Sequence, residues 1–184
     1  MIPFLETERL SLRQFHPSDA DNLYRLHRDR RVMRYIGDGS VGDRASVAAV
    51  LARAAREYRN YPGLGAWPAA ERASGEFVGW FCLKYVPKTV EVELGYRLLP
   101  QAWGYGYATE GARELVRYAF EVLGLHRIIG LTHPGNTASQ SVLRKAGLRD
   151  AGWGHYYDRE LRLFVASGVG LGPETGLPQL QDLP

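Results

Sequence analysis

The spacing of apolar positions changes period several times along the chain, and each change marks an element. Residues 6–15, ETERLSLRQF, alternate in part and predict a strand. Pro17 and Ser18 follow, and Leu23, Leu26 and Val32 or Met33 then recur at helical spacing. Ser18 is expected as the N-cap, with Asp21 three residues on. Gly37, Gly39 and Gly42 interrupt that pattern. Over 43–60 an amphipathic helix is predicted, with Val47, Val50, Leu51, Ala54 and Tyr58 on one face and Arg53, Arg56 and Arg59 off it. Tyr61-Pro62-Gly63 ends it. Residues 65–72 predict a strand that Pro68 confines to an edge or a bulge. EFVGWFCLKYV at 76–86 and TVEVELGYRLL at 89–99 predict two long strands joined at Pro87-Lys88, an antiparallel hairpin.

The second half alternates helices and strands. A helix is predicted over about 107–123, with an apolar stripe through Ala108, Ala112, Leu115, Val116, Ala119, Phe120 and Leu123. A short strand follows at 126–132. A helix from Asn136 to Ala146 carries Asn136 as N-cap and Gly147 as its stop. Strands at 148–157 and 160–167 turn at Tyr157-Asp158-Arg159. The order is mixed α/β. Residues 1–167 are expected to form one domain and 168–184, rich in glycine and proline, a flexible tail.

Composition narrows the class. The 184 residues are 45% hydrophobic and 23% charged, close to the globular average. No apolar run approaches the length of a membrane helix, and the N-terminus lacks the pattern of a signal peptide. One cysteine excludes an internal disulfide and a multi-cysteine metal site. Cys82 lies in an apolar strand and reads as a core thiol. The five histidines show no metal-ligand spacing, so no metal is expected. A net charge of +3, with its basic residues spread along the chain, gives no nucleic-acid footprint. A cytoplasmic protein with neither nucleic-acid nor membrane partners is expected.

Chemistry concentrates in residues 89–110. Strand alternation puts Val90, Val92 and Leu94 on one face and Glu91, Glu93 and Gly95 on the other. A solvated sheet face accounts for two such carboxylates by themselves. Just downstream, Gln101-Ala102-Trp103-Gly104-Tyr105-Gly106 leads into the helix at Tyr107. Glycines let backbone amides converge there, and a helix N-terminus favours an anion, so a pyrophosphate cradle is possible. The pattern is neither a P-loop nor a dinucleotide-binding fingerprint.

These residues resemble a known family. Gln101, Gly104 and Gly106 match the Gln-x-x-Gly-x-Gly acetyl-CoA motif of the GNAT superfamily of N-acyltransferases. The string ELGYRLLPQAWGYGYATEG is similar to the branch containing the ribosomal-protein alanine N-acetyltransferases. HPGNTASQSVLRKAGL at 133–148 resembles a second block of that branch, and TERLSLRQFHPSDADNLYRLH and VMRYIG resemble its opening. The resemblance spans roughly residues 6–167. It implies an α/β fold with a mostly antiparallel seven-stranded sheet splayed between its fourth and fifth strands, and about four helices. It implies acetyl-CoA as cofactor and an amine as acceptor. A protein N-terminal α-amino group is the first expectation. A small amine, polyamine, amino acid or drug, or a non-catalytic CoA-binding role, are the alternatives. A monomer or homodimer is expected.

The resemblance also assigns roles. Backbone groups near Leu98 and Leu99 are expected to pair with the pantetheine arm, and a backbone N–H near Leu98 to supply an oxyanion donor. Gln101 and the amides of Trp103, Gly104, Tyr105, Gly106, Tyr107 and Ala108 are expected at the pyrophosphate, with Thr109 in the first helical turn. Asn136 matches the pantetheine-contacting asparagine and Ser139 a serine near the thioester, where it can act as an acid. Arg144 and Lys145 are placed either to meet CoA phosphates or to stand as exposed helix charges. Glu93 is the candidate base, with Glu91 in reserve. Apart from the resemblance, Tyr35, Trp80, Trp153, Tyr156 and Tyr157 are candidates either for an acceptor pocket or for core and sheet-surface aromatics. Arg97 stands where many relatives have tryptophan, and Leu148 where many have phenylalanine.

Overall fold

The computed structural model describes residues 2–168. The expected tail, from 169 onward, lies outside the described residues. Where one N-terminal strand is predicted, two short ones form, β1 (Leu5–Glu6) and β2 (Leu10–Leu12). Thr7 makes the break. Its N–H donates to the Leu10 carbonyl and its hydroxyl accepts from the Leu10 N–H, both at 2.9 Å, closing a tight hairpin.

The first helical stretch also divides. A 3-10 turn at Pro17–Asp19 leads into α1 (Ala20–His27), and α2 (Arg30–Met33) follows. The cap is His16, not Ser18. The His16 ring accepts from the Ser18 N–H, and the Asp19 carboxylate accepts from the His16 N–H. Asp29 restarts the helix by accepting from the Arg31 N–H at 2.9 Å. Helix α3 (Arg44–Asn60) starts on Asp43, whose carboxylate accepts from the Ser46 N–H.

Strands β3 (Gly65–Glu71), β4 (Phe77–Tyr85) and β5 (Val92–Leu98) follow. Strand β3 lies between β2 and β4, not at an edge. Pro68 is tolerated because the β2 ladder ends one residue earlier, at Leu12 against Ala69. Only the Pro68 carbonyl is then needed on that side, and it accepts from the Arg13 N–H. Val90 does not share the face of Val92 and Leu94. It sits in the β4–β5 turn, where Lys88 has φ +62°, and it is exposed while the other two are buried.

Helix α4 (Tyr107–Arg117) runs on into a π-helical turn (Tyr118–Val122). Then come β6 (Arg127–Thr132), α5 (Thr137–Lys145), β7 (Arg149–Tyr156) and β8 (Arg159–Ser167). The hydrogen-bonded order is β1-β2-β3-β4-β5-β6-β8-β7. The sheet therefore has eight strands rather than seven, because the first strand is split. It is mostly antiparallel. The exception is β5 with β6, which run parallel with Glu93 opposite Ile129.

Two compact units divide the chain. One comprises the described residues up to Cys82 together with Tyr96–Gly111. Its core joins Leu23, Leu26, Val47, Trp80, Cys82 and Leu99. Cys82 is buried in this core, as expected. The other comprises Leu83–Gly95 and the described residues from Ala112 onward. Ile128, Ile129, Leu143, Leu148 and Phe164 are buried there. Burying a side chain of that size contributes about 1.5–3 kcal/mol. No helix among the described residues is long and apolar enough to cross a membrane.

Candidate functional site

The glycine loop is held by its neighbours and open at its tip. Pro100–Ala102 form a 3-10 turn ahead of it. The Trp103 indole N–H donates to the Leu98 carbonyl at 2.9 Å. At the other end the Tyr107 hydroxyl donates to Glu71, and the Tyr107 and Tyr105 rings stack with centroids 5.9 Å apart. Between these anchors Gly104 has φ +84° and Gly106 φ +86°. Side chains are strained in that region, and glycine is not. Trp103, Gly104, Tyr105 and Gly106 are all exposed.

Arg9 fixes the loop's direction, and sequence reasoning missed it. Its Nη1 donates to the Tyr105 carbonyl at 3.0 Å. A trans peptide points its C=O and N–H oppositely. Holding the Tyr105 oxygen on one side therefore directs the Gly106 N–H to the other. Arg9 is itself clamped. Glu110, in the first turn of α4, accepts from the Arg9 N–H at 2.8 Å and from Nε at 2.7 Å, with Nη2 at 2.6 Å. Thr7 adds its hydroxyl to the same carboxylate. The string ETERL carried these residues, but nothing in it shows a partner about a hundred positions away.

The residues present fit an anionic, pyrophosphate-like group. The first intrahelical bond of α4 runs from the Glu110 N–H to the Gly106 carbonyl. Amides ahead of it have no helical carbonyl to meet. They sit at the positive end of the helix, beside two glycines that put no side chain in the way. Leu98 and Leu99 lie just before the loop and are already engaged. The Leu99 N–H donates to Val78, and its carbonyl accepts from Ala102. An open depression of about 490 Å³ reaches Leu99 and Gln101 and is lined by Arg25, Arg28, Asp29, Arg30 and Arg31.

The other unit holds the candidate catalytic groups. Glu93 is buried except for 13% of its side chain and faces two partners. The Lys84 ammonium lies 2.8 Å from Oε2, and the Tyr157 hydroxyl donates to the same oxygen at 2.5 Å. Lys84 also donates to the Tyr157 hydroxyl at 2.6 Å and lies over its ring. Burial, with the Glu93 carboxylate beside it, pushes the Tyr157 phenol well above its ordinary pKa. Glu91 pairs instead with Arg127, Nε to Oε2 at 3.1 Å.

Asn136 caps α5 as expected, Oδ1 accepting from the Ser139 N–H at 3.1 Å. That leaves its side-chain NH₂ outside the cap. Arg144 pairs with Asp150 at 3.0 Å, and the Lys145 carbonyl accepts from Arg113. Of the aromatic candidates, Trp80 is buried with its indole N–H unpartnered and Arg97 over its ring, and Trp153 is exposed under Arg162. Of these, Tyr157 meets Glu93. Among the described residues, no three His, Cys, Asp or Glu side chains gather as a metal set.

Comparison with known proteins agrees with these features. The chain is 38% identical over 154 residues to FsC-acetyl coenzyme A-N(2)-transacetylase of Aspergillus fumigatus, covering 79% of this chain and 65% of that protein. The chain thus spans just under two thirds of that relative's length. It is 31% identical over 153 residues to the uncharacterized N-acetyltransferase YoaA of Bacillus subtilis, covering 83% of this chain and 86% of that one. An acetyltransferase from Agrobacterium tumefaciens superposes with a TM-score of 0.78 at 28% identity, over 90% of this chain and 95% of that one. The acetyltransferase (GNAT) domain profile matches residues 9–149. With motif, sheet order and relatives in agreement, the chain belongs to the GNAT acetyltransferase family, whose members use acetyl-CoA.

Proposed function

We propose that this protein moves an acetyl group from acetyl-CoA to a primary amine. The observation that carries the reading is the Gln101–Thr109 loop, with its two left-handed glycines and the Arg9-directed Gly106 amide. Gln101, the amides of Gly104 to Ala108 and the first-turn Thr109 hold the pyrophosphate, while the expected Trp103 N–H is taken by the Pro100 carbonyl at 3.1 Å. Leu98 and Leu99 offer carbonyl lone pairs to the pantetheine arm. The side-chain NH₂ of Asn136 meets the same arm. Arg144 and Lys145 face phosphate oxygens, Arg144 shared with Asp150.

Acetyl-CoA supplies an activated acyl carbon, so the protein's task is to present a neutral amine. An α-amino group titrates near ~8 and an alkyl amine near ~10, so most of either is protonated at neutral pH. Glu93 accepts the amine proton, directly or through water. The amine nitrogen then bonds to the acyl carbon as the carbon–sulfur bond breaks. The nitrogen's surplus proton passes to the departing thiolate by way of the Ser139 hydroxyl, so the products are the amide and the free thiol of CoA. Attack is direct, with no covalent intermediate on the protein.

A polypeptide α-amino group is the first acceptor class, supported by the motif string shared with the ribosomal-protein branch. A small-molecule amine is the second, supported by the likeness at 38% identity to a protein named as an N(2)-transacetylase. The test is incubation with acetyl-CoA and a mixed panel of peptides, amino acids and polyamines, read by mass spectrometry. An acetylated acceptor formed together with free CoA is expected. Tight acetyl-CoA binding with no turnover on any amine would point to a regulatory protein instead.

A further inference from the structure

The β7–β8 turn is built from an unfavourable residue. Tyr156 pairs with Arg159, so Tyr157 and Asp158 form a two-residue hairpin loop. Both have left-handed backbone, φ +54° and +56°. Such turns favour Asn, Asp and Gly. Asp158 fits, but a bulky aromatic at positive φ is an outlier. Backbone strain of this kind persists where something else over-determines the conformation, and it clusters at functional sites.

What over-determines it here is the contact with Glu93. The left-handed turn brings the Tyr157 hydroxyl to 2.5 Å from Glu93 Oε2 and to 2.6 Å from the Lys84 ammonium. A phenol that keeps its proton is a donor to the carboxylate at any working pH. Lys84 supplies a second, charged donor to the same oxygen at 2.8 Å. Both bonds fall on Oε2 and fix the orientation of the carboxylate. A single freely rotating carboxylate offers no such fixed direction.

We propose that Tyr157 and Lys84 are positioning residues for the acetyl transfer: together they lock Glu93 by one oxygen so that the other meets the incoming ammonium. The proposal rests on the reading of Glu93 as the base. It also accounts for a strained tyrosine where an asparagine would suit the backbone better.

The test separates function from stability at one position. Tyr157→Asn suits the left-handed turn and should hold or raise the melting temperature. It should nonetheless lower kcat/KM for the acceptor about tenfold or more, with the KM for acetyl-CoA unchanged within about twofold. Tyr157→Phe and Lys84→Met should show the same kinetic loss, and Lys84→Arg should recover part of it. Acceptors are spermidine and a hexapeptide with a free N-terminal serine. If the wild type turns over neither, CoA release by acetyl-CoA hydrolysis is the readout. Full activity in Tyr157→Asn, or activity lost in step with melting temperature, overturns the proposal. Glu93→Gln separates the two levels. If it is silent, the base reading fails and the proposal with it. If Glu93→Gln is impaired while the Tyr157 and Lys84 variants are not, only the proposal fails. Tyr157→Phe added to Glu93→Gln should cost nothing more.

Discussion

The glycine loop and the Glu93 cluster are built by opposite means. The loop offers backbone amides, and its side chains matter mainly where they are missing, at Gly104 and Gly106. Its chemistry is therefore written in one short run of sequence. The cluster is made of side chains from positions 84, 93 and 157, brought together by a hairpin and a parallel strand contact. Nothing local in the sequence announces it. The loop should tolerate changes of side-chain chemistry but not of backbone or bulk. The cluster should respond to the loss of single atoms.

Glu93→Gln tests that contrast most severely. It removes one charge and keeps the shape. Turnover at neutral pH is expected to fall about a hundredfold or more. The deficit should narrow as the pH approaches the acceptor's own pKa, because the amine then arrives already neutral. A pH-independent deficit would make Glu93 an orienting group rather than a base.

Gly106→Glu is the counterpart in the loop. Neither bulk nor negative charge suits a pyrophosphate cradle, and the left-handed φ adds strain. Acetyl-CoA affinity should drop about fiftyfold, read by isothermal titration, through lost anion contacts. Gly106→Ala keeps the charge neutral and should drop less. If the two are equally impaired, backbone conformation alone sets the affinity and charge adds nothing.

Much of the loop was legible in advance because glycine and helix-start signals are local. The helix over 107–123, the Asn136 cap and the β4–β5 hairpin were legible for the same reason. What escaped depends on partners distant in the chain. Thr7 broke the first strand by bonding Leu10, which alternation cannot show. His16 took the cap from Ser18 because Asp19 answered its N–H. Pro68 fitted an interior strand because its neighbour β2 is only three residues long. Lys84 read as one more position in an aromatic strand, and Tyr157 as one of several pocket aromatics, until Glu93 was placed between them. Arg9 belonged to a motif whose physical reason lay at Glu110.

Glu110→Gln asks whether the loop is as purely a backbone device as the contrast suggests. The substitution keeps the shape but weakens the ion pair that holds Arg9 against the Tyr105 carbonyl. Charged hydrogen bonds are worth about 1.5–3 kcal/mol each, and only part of that should reach the loop. A rise of about tenfold in the KM for acetyl-CoA is expected, with kcat nearly unchanged. An equal fall in kcat would show that the clamp also governs the transfer step.

A pH profile of turnover can mislead unless stability is measured beside it, and His27 is the reason. It is 4% exposed. Burial, helped by Arg97 and Arg53, pulls its pKa from 6.5 to about 4. Its Nε2 lies 3.4 Å from the Arg97 guanidinium. Between those two values the unfolded chain binds a proton that the folded chain refuses. Stability is therefore fully present above about pH 6.5 and is lost as the pH falls towards about 4, where the loss levels off. Between pH 7 and pH 5.5 the loss should be about 1 kcal/mol. Chemical denaturation at the two pH values should show it, and His27→Gln should flatten it while leaving the Glu93-dependent rate profile in place. If His27→Gln instead moved the rate profile, acid loss of activity would reflect unfolding, and the contrast between loop and cluster would have to be drawn from measurements at neutral pH alone.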